Sequence, residues 1–145
     1  MEEVWKTLKE LPIYQISNLG KIRSVDTYKN HSNQYGKCGT RFVKGKILKT
    51  QISNSGYEFI VLRLNNKKKN YSIHRLVASY FLKNPNNYKY VNHIDGNKLN
   101  NNAENLEWCT QSHNVKESYR LGLQKPYTPP MMFNYVPWNK GKKLK

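Results

Sequence analysis

Acidic residues and cysteines are scarce in this chain. Its 145 residues include 9 Asp and Glu against 25 Lys and Arg, which gives a formal net charge of +16 at pH 7. A basic excess of this size favours a polyanionic partner. The two cysteines, Cys38 and Cys109, form neither a CxxC pair nor a disulfide framework. We therefore expect an intracellular, reducing compartment.

Long apolar runs and several common catalytic motifs are also missing. No stretch approaches the roughly 18 consecutive apolar residues that a membrane-spanning helix needs. Residues 1–3 carry two acids rather than the basic start of a signal peptide, so we expect no membrane partner and no secretion. The P-loop, nucleophile-elbow and HExxH patterns are absent as well, which argues against a nucleotide cofactor, acyl transfer and zincin chemistry.

Alternation of apolar and polar residues predicts β-strands in the N-terminal half. The alternation reverses about an Asn-Leu-Gly turn at residues 18–20, which is typical of a β-hairpin. Residues 26–41 lose the periodicity and predict a loop. Leu76 and Tyr80 can share a helix face before Pro85 stops the helix. The further predicted elements are strands at 42–52, 57–64 and 71–73 and this helix at 75–82.

A strand–loop–strand–helix pattern is predicted for residues 90–122. An apolar strand runs into the turn dipeptide Asp95-Gly96, and a second short strand follows a polar loop. A helix should come next, because Thr110 is a suitable N-cap and Gly122 suits the position after the helix end. The expected α+β protein has three parts: a small N-terminal antiparallel sheet with a linking helix at 1–89, this unit at 90–122, and an extended basic arm at 123–145.

One cluster of polar residues in the second part could carry chemistry. Asn92 and His93 lie at the end of the first predicted strand, Asn105 precedes the second strand, and Asn114 falls in the first turn of the helix. In such a fold the strand end and the helix start can face each other. The site could then hold one metal ion and one general base.

The same residues carry a resemblance to a known family. The motif VNHIDGNKLNN at residues 91–101, followed by ENLEWCT at 104–110, resembles the core of HNH homing endonucleases of phages and introns. Upstream, YQISNLGKIRS at 14–24 and HRLVA at 74–78 are similar to the NUMOD-type DNA-binding module that accompanies such nucleases. PWNKGK at 137–142 resembles another small nuclease-associated DNA-binding motif.

The resemblance implies a ββα-metal fold for residues 90–122 and metal-dependent hydrolysis of a phosphodiester bond in double-stranded DNA. Position by position, His93 matches the general base, Asn92 and Asn114 match ligands of one Mg²⁺ or Mn²⁺ ion, and Asn105 matches the Asn that orients the loop of the base. Position 92 is commonly Asp in the family. Because two neutral amides supply no formal negative charge, we expect a hard dication to bind well only when DNA phosphate oxygens complete its shell.

Double-stranded DNA is the expected polyanion, gripped by the sheet and the tail. With one site per chain a monomer should nick one strand, and a dimer that cuts both strands stays open as the alternative. If a phage encodes the chain, its compartment would be the host cytoplasm. The residues expected to contact DNA are Arg23, Lys44, Lys46, Lys49, Arg63, Lys67, Lys68, Lys69, Lys98, Lys140 and Lys142.

Other interpretations of the same residues stay open. The chain could be a DNA-binding protein without activity, in which Asn92 marks decay from Asp and the basic charge carries the function. Cys109, His113 and His93 could in principle share a zinc ion.

Some side chains are expected to serve packing or to lie on a shared surface. His74 is expected to cap or pack at the start of its helix, and Tyr57 to bury its ring in the core. Lys44, Lys46 and Lys49 are expected to form a basic stripe on one face of their predicted strand.

Overall fold

The structure is a computed structural model that describes residues 2–32, 38–64 and 67–124. The described residues form two three-stranded sheets, two two-stranded ribbons and two α-helices, which confirms the expected α+β class. None of the helices in this part of the chain is long and apolar enough to cross a membrane. In chain order the elements are β1 (Trp5–Leu8), β2 (Leu11–Ser17), β3 (Ile22–Ser24), β4 (Thr27–Ser32), β5 (Cys38–Val43), β6 (Gln51–Ile52), β7 (Glu58–Leu64), β8 (Lys67–Ser72), α1 (Ile73–Phe81), β9 (Tyr90–His93), a 3-10 turn (Ala103–Asn105), β10 (Leu106–Cys109) and α2 (Gln111–Arg120).

The first sheet has the strand order β1-β2-β3 and contains the predicted hairpin. The chain reverses at Gly20, whose φ of 82° lies in the left-handed region that favours glycine. The hydroxyl oxygen of Ser17 accepts the Lys21 amide hydrogen at 3.0 Å and closes the turn. β1, which the sequence pattern did not predict, pairs with the other edge of β2.

The loop predicted for residues 26–41 is wrong at residues 27–32 and 38–41, which belong to a ribbon of β4 and β5, while residues 33–37 lie outside the described part of the chain. Tyr28 lies opposite Phe42 in this antiparallel pair, and their ring centroids are 5.5 Å apart. A cross-strand aromatic pair stabilises such a ribbon. Both rings are exposed, at 73% and 51%, so the ribbon lacks the apolar-in, polar-out pattern on which the prediction relied.

The continuous strand predicted for residues 42–52 is also wrong. β5 ends at Val43, and β6 covers only Gln51–Ile52. Between them the Gly45 amide donates to the carboxylate of Asp26 at 2.7 Å. Beyond Gly45 the chain pairs with β3 through the Arg23–Ile47 bridge instead of continuing β5.

The second three-stranded sheet has the order β6-β7-β8 and leads directly into α1. The predicted helix is confirmed, although it begins two residues earlier, at Ile73, and ends at Phe81. Its inner face buries Ile73, Val77 and Ala78. The spacing of these apolar residues places them on one side of the helix, so α1 packs along the sheet.

The strand–loop–strand–helix unit is confirmed. β9 and β10 pair antiparallel, with His93 opposite Leu106. The hydroxyl of Thr110 accepts the His113 amide hydrogen at 3.2 Å, so Thr110 caps α2 as predicted. Gly122 follows the helix with a φ of 67°.

One cluster of buried apolar side chains joins the N-terminal sheets to this unit. It includes Ile16 and Ile22 of the first sheet, Leu62 of the second, Val77 of α1 and Leu106 of β10. Full burial of each such side chain contributes about 1.5–3 kcal/mol. The position of the ββα unit is therefore fixed by a core that it shares with the N-terminal half.

Candidate active site

A cleft of about 180 Å³ opens between β9, the loop that follows it and α2. Asn92, His93 and Asn114 line this cleft together with Tyr57 and Lys98. The structure thus brings together three of the four residues expected at the site. Asn105, the fourth, lies behind the loop rather than in the lining.

His93 is nearly buried, with 5% of its surface exposed, and its ring is held from one side. Nε2 of His93 lies 3.2 Å from Oδ1 of Asn101. The other end of the Asn101 amide donates to Oε2 of Glu58 at 2.7 Å, so its oxygen must be the end that faces the imidazole. Nε2 of His93 therefore carries the proton, and Nδ1 keeps its free lone pair. Glu58 is held in turn by the hydroxyl of Thr50.

Burial and neighbouring charges set the protonation of His93. Burial lowers the pKa of His93 below its ordinary value of 6.5, the Asn101 hydrogen bond and the Asp95 charge raise it, and the Lys98 charge lowers it, with a net lowering. His93 is therefore neutral at pH 7. A neutral imidazole is the form that can accept a proton.

Two further rings pack beside His93. The ring centroid of His74 lies 5.3 Å and that of Tyr57 6.0 Å from the His93 centroid. Burial, followed by the charges of His93 and Arg75, lowers the pKa of His74 to about 4, so this imidazole is also neutral near pH 7. The packing role expected for His74 is confirmed. Tyr57 lines the cleft rather than the core, with Nζ of Lys98 4.8 Å from its ring centroid.

Asn105 organises the loop that follows His93. Its side-chain oxygen accepts the Asp95 amide hydrogen at 3.0 Å, and its side-chain nitrogen donates to the Asp95 carboxylate at 2.9 Å and to the Asn100 carbonyl at 2.8 Å. Desolvation pushes the pKa of Asp95 up, but hydrogen bonds from Asn100, Asn105 and Asn97 outweigh it, and the net pKa is lowered. Asp95 is therefore an ionised member of the turn.

Asn92 faces Glu107 across the β9–β10 ribbon. Nδ2 of Asn92 donates to Oε1 of Glu107 at 2.9 Å. Nε2 of His113 lies 3.1 Å from the same carboxylate oxygen.

The donors in the cleft fit a hard divalent cation. Asn92 and Asn114 offer amide oxygens, which suit Mg²⁺ or Mn²⁺ better than a soft metal. Among residues 2–32, 38–64 and 67–124 no group of three His, Cys, Asp or Glu side chains could hold a metal ion. The alternative zinc site of Cys109, His113 and His93 is therefore wrong.

Comparison with known proteins identifies both halves of the chain. Residues 71–116 match the family described as HNH endonuclease, and residues 3–63 match the NUMOD4 motif. The chain thus carries an HNH endonuclease segment at residues 71–116 and a NUMOD4 motif at residues 3–63. The HNH match begins at residue 71 and ends at residue 116, so it includes α1, β9 and β10 and the first part of α2.

Named relatives and a solved structure agree with this assignment. DNA endonuclease I-HmuI of Bacillus phage SP01 is 36% identical over 119 residues, which are 81% of this chain and 59% of that protein. A protein of Acanthamoeba polyphaga mimivirus named as an uncharacterized HNH endonuclease is 40% identical over 121 residues, 83% of this chain and 31% of its own length. The solved structure "DNA binding and cleavage by the HNH homing endonuclease I-HmuI" matches with a TM-score of 0.65 and 35% identity, over 87% of this chain and 62% of that one. The chain thus spans less than two thirds of these relatives.

The basic residues of this chain occupy different environments. Arg23 is half-buried, because its guanidinium lies 4.2 Å from the Trp5 ring centroid and donates to Gln15 at 2.8 Å. Lys140 and Lys142 lie outside the described residues. The basic stripe expected for Lys44, Lys46 and Lys49 on one β-strand is not formed, because these residues lie between β5 and β6. The other residues expected to contact DNA all have exposed side chains: Lys44, Lys46, Lys49, Arg63, Lys67, Lys68, Lys69 and Lys98.

Three residues of the site were not assigned a role from the sequence. Asn101 lies inside the HNH motif, but nothing in the pattern says which side chain reaches the histidine. Glu58 is 43 residues from Asn101 in the chain, so only the folded structure joins them. Glu107 had a usable signal, because an antiparallel ribbon that ends at His93 and Leu106 places residue 107 opposite residue 92.

Proposed function

We propose that this chain is a metal-dependent endonuclease of the homing type that hydrolyses a phosphodiester bond in double-stranded DNA. The observation that carries the proposal is the meeting of His93 with Asn92 and Asn114 in one cleft. The relative I-HmuI, which is named a DNA endonuclease, supports the choice of DNA.

His93 acts as the general base. Its Nδ1 takes a proton from a water molecule, the water oxygen bonds to phosphorus, and the bond from phosphorus to the 3′ oxygen breaks. The products are a 5′ phosphate and a 3′ hydroxyl, whose proton comes from solvent. Asn101 keeps the imidazole in the required tautomer by accepting from Nε2, and Asn105 holds the following loop through Asp95.

Asn92 and Asn114 would hold one Mg²⁺ or Mn²⁺ ion through their amide oxygens, with DNA phosphate oxygens supplying negative charge. When bound, the ion would offset the charge that develops on the leaving oxygen. Lys98, whose exposed side chain borders the cleft, is suited to contact a neighbouring phosphate.

The NUMOD4 half and its exposed lysines would grip the duplex, while the ββα unit cuts it. We assign DNA binding to residues 1–89, cleavage to 90–122 and additional grip to the basic tail at 123–145. Because the described residues form one candidate catalytic cleft, a monomer would nick one strand. A chain with this substrate, and with phage relatives, would act in the host cytoplasm.

The test is cleavage of supercoiled plasmid by wild type and by His93→Ala, with Mg²⁺, Mn²⁺ or EDTA. We expect open-circle product with either metal, none with EDTA, and none from His93→Ala although it still binds DNA. Glu10→Gln is a surface control outside the cleft lining that removes no basic side chain, and it should nick like wild type. Cleavage by His93→Ala at the wild-type rate would refute the role of His93.

An inactive DNA-binding protein is the second candidate, because Asn92 stands where the family commonly has Asp and the net charge of +16 alone would bind DNA. The same assay separates the two. Tight DNA binding by wild type without cleavage in any divalent metal would favour this candidate.

A further inference from the structure

Among the residues that the structure describes, none that lines the cleft carries a carboxylate. The polar side chains of the lining are those of Tyr57, Asn92, His93, Lys98, Asn114, Ser118 and Gln124. A divalent cation placed here would meet neutral ligands and a nearby positive charge. The negative charge that stabilises a hard dication must therefore come from DNA or from a residue just outside the lining.

Glu107 is the carboxylate that contacts a candidate ligand directly. It faces Asn92 in the register of the ribbon, and its Oε1 accepts from Nδ2 of Asn92 at 2.9 Å. A side-chain amide has one donor end and one acceptor end, so this bond fixes its orientation. The oxygen of Asn92 is left as the end available to a cation.

We propose that Glu107 is a positioning residue for the metal site, one that orients the Asn92 oxygen and supplies the negative charge that the ligand pair lacks. This inference rests on the proposed metal-dependent function. A carboxylate that binds the far side of a ligand both orients it and increases its basicity. The charge commonly carried at position 92 is thereby provided from the strand opposite.

A purely structural role for Glu107 makes a different prediction. Its carboxylate also lies 3.1 Å from Nε2 of His113, and both side chains are substantially exposed, at 38% and 47%. If this surface ion pair were the purpose of Glu107, removal of His113 would reproduce the effect of removing Glu107. If Glu107 serves Asn92, removal of His113 would leave metal binding unchanged.

The experiment measures the affinity of Mn²⁺ for the protein–DNA complex, by electron paramagnetic resonance of the free ion, on DNA made uncleavable by a phosphorothioate linkage. Glu107→Gln keeps an acceptor oxygen but removes the charge, and we expect it to weaken Mn²⁺ binding by about tenfold. Glu107→Ala should weaken it further, and His113→Ala should bind like wild type. The double variant with Asn92→Asp and Glu107→Gln returns the charge to position 92 and should restore the affinity.

The outcomes separate this inference from the proposed function. Wild-type Mn²⁺ affinity in both Glu107 variants, with metal-dependent nicking by wild type, would overturn only the role of Glu107. Equal losses in His113→Ala and Glu107→Ala would also overturn it, in favour of the ion pair. A wild-type complex that neither binds Mn²⁺ nor nicks plasmid would overturn the proposed function and this inference with it. Thermal unfolding followed by circular dichroism checks that each variant is folded.

Discussion

Gly20 of the NUMOD4 half lies against Asn101, the residue that holds the candidate base. A Cβ atom at position 20 would come within 2.8 Å of Cβ of Asn101. The backbone of Gly20 also has a φ of 82°, which side-chain-bearing residues rarely adopt. The turn of the first hairpin therefore supports the active site directly.

Gly20→Ala should lower both stability and activity. The strained backbone costs about 1–3 kcal/mol of unfolding free energy, and the clash should displace Asn101 and with it His93. Urea unfolding and plasmid nicking measure the two effects. Gly122→Ala is the matched control, because its φ is 67° but a Cβ there meets no atom within 4 Å. It should lose stability without a comparable loss in the nicking rate of the folded protein, and equal losses in both variants would contradict the argument.

Asn101→Ala should slow cleavage without weakening DNA binding. The change removes the acceptor from Nε2 of His93, which then has no fixed tautomer or orientation. Misplacement of a reacting group can cost about 100-fold in rate, so we expect a loss of about ten- to a hundredfold in single-turnover nicking. Nitrogen-15 NMR of the His93 ring should show the Nε2-protonated tautomer in wild type and a mixture in the variant.

Glu58→Gln offers a milder change in the same network. A Gln side chain can still accept from Asn101, so the His93 tautomer should be retained.

Asn102→Ala, at the position next to Asn101, is the control for Asn101→Ala, because it makes a change of the same size in the same loop. If Asn101→Ala nicks as fast as Asn102→Ala, the network has no part in catalysis.

The sequence predicted the parts of the site that are local in the chain. The predicted strand–loop–strand–helix pattern of residues 90–122 implied that Asn92, His93 and Asn114 could face one another. Capping signals at Thr110 and Gly122 bounded α2, because each of these signals lies within a short segment of the chain. The bond between Glu58 and Asn101 joins residues 43 positions apart and depends on how the second sheet packs on the ββα unit. No local pattern encodes such a contact.

The errors in the fold have the same origin. The β4–β5 ribbon escaped prediction because its aromatic pair, Tyr28 and Phe42, is exposed rather than buried. Alternation reports which face of a strand meets the core, and a ribbon outside the core need not show it. Tyr57 was expected in the core and instead lines the cleft. The sequence pattern is the same for an aromatic residue that packs in a core and for one that packs beside a cleft.

His74 should make stability depend on pH. Burial and the charges of His93 and Arg75 lower its pKa from 6.5 to about 4 in the folded state. As the pH falls from 6.5 toward 4, His74 is protonated in the unfolded chain but not yet in the folded chain. Protonation therefore favours the unfolded state, and the stability present above pH 6.5 is lost as the pH approaches 4. The loss amounts to up to about 3 kcal/mol.

Urea unfolding at pH 7, 5.5 and 4.5 measures this dependence. His74→Phe keeps a ring between Tyr57 and His93 but cannot titrate, so its unfolding free energy should fall less steeply than that of wild type. Parallel curves for the two proteins would show that His74 does not bear the pH dependence. The pH dependence that remains in the unfolding free energy of His74→Phe comes from the other titrating groups, including His93.

DNA affinity should fall steeply with salt, and single lysines should change that slope. With six or more phosphate contacts, affinity drops by about a thousandfold or more between roughly 50 and 200 mM salt. Lys67→Ala removes one exposed charge on β8 and should reduce the slope of log affinity against log salt by about 0.9 if it contacts phosphate.

Arg23→Ala is the contrasting variant, because it removes the same charge from a different environment. Arg23 is held by Trp5 and Gln15 inside the first sheet, so its loss should cost about 1 kcal/mol of stability and leave the salt slope unchanged. Binding measured by fluorescence anisotropy over a salt series, with urea unfolding alongside, tests both variants. A slope that falls in Arg23→Ala but not in Lys67→Ala would mean that the half-buried guanidinium, rather than the exposed lysine on β8, meets the DNA backbone.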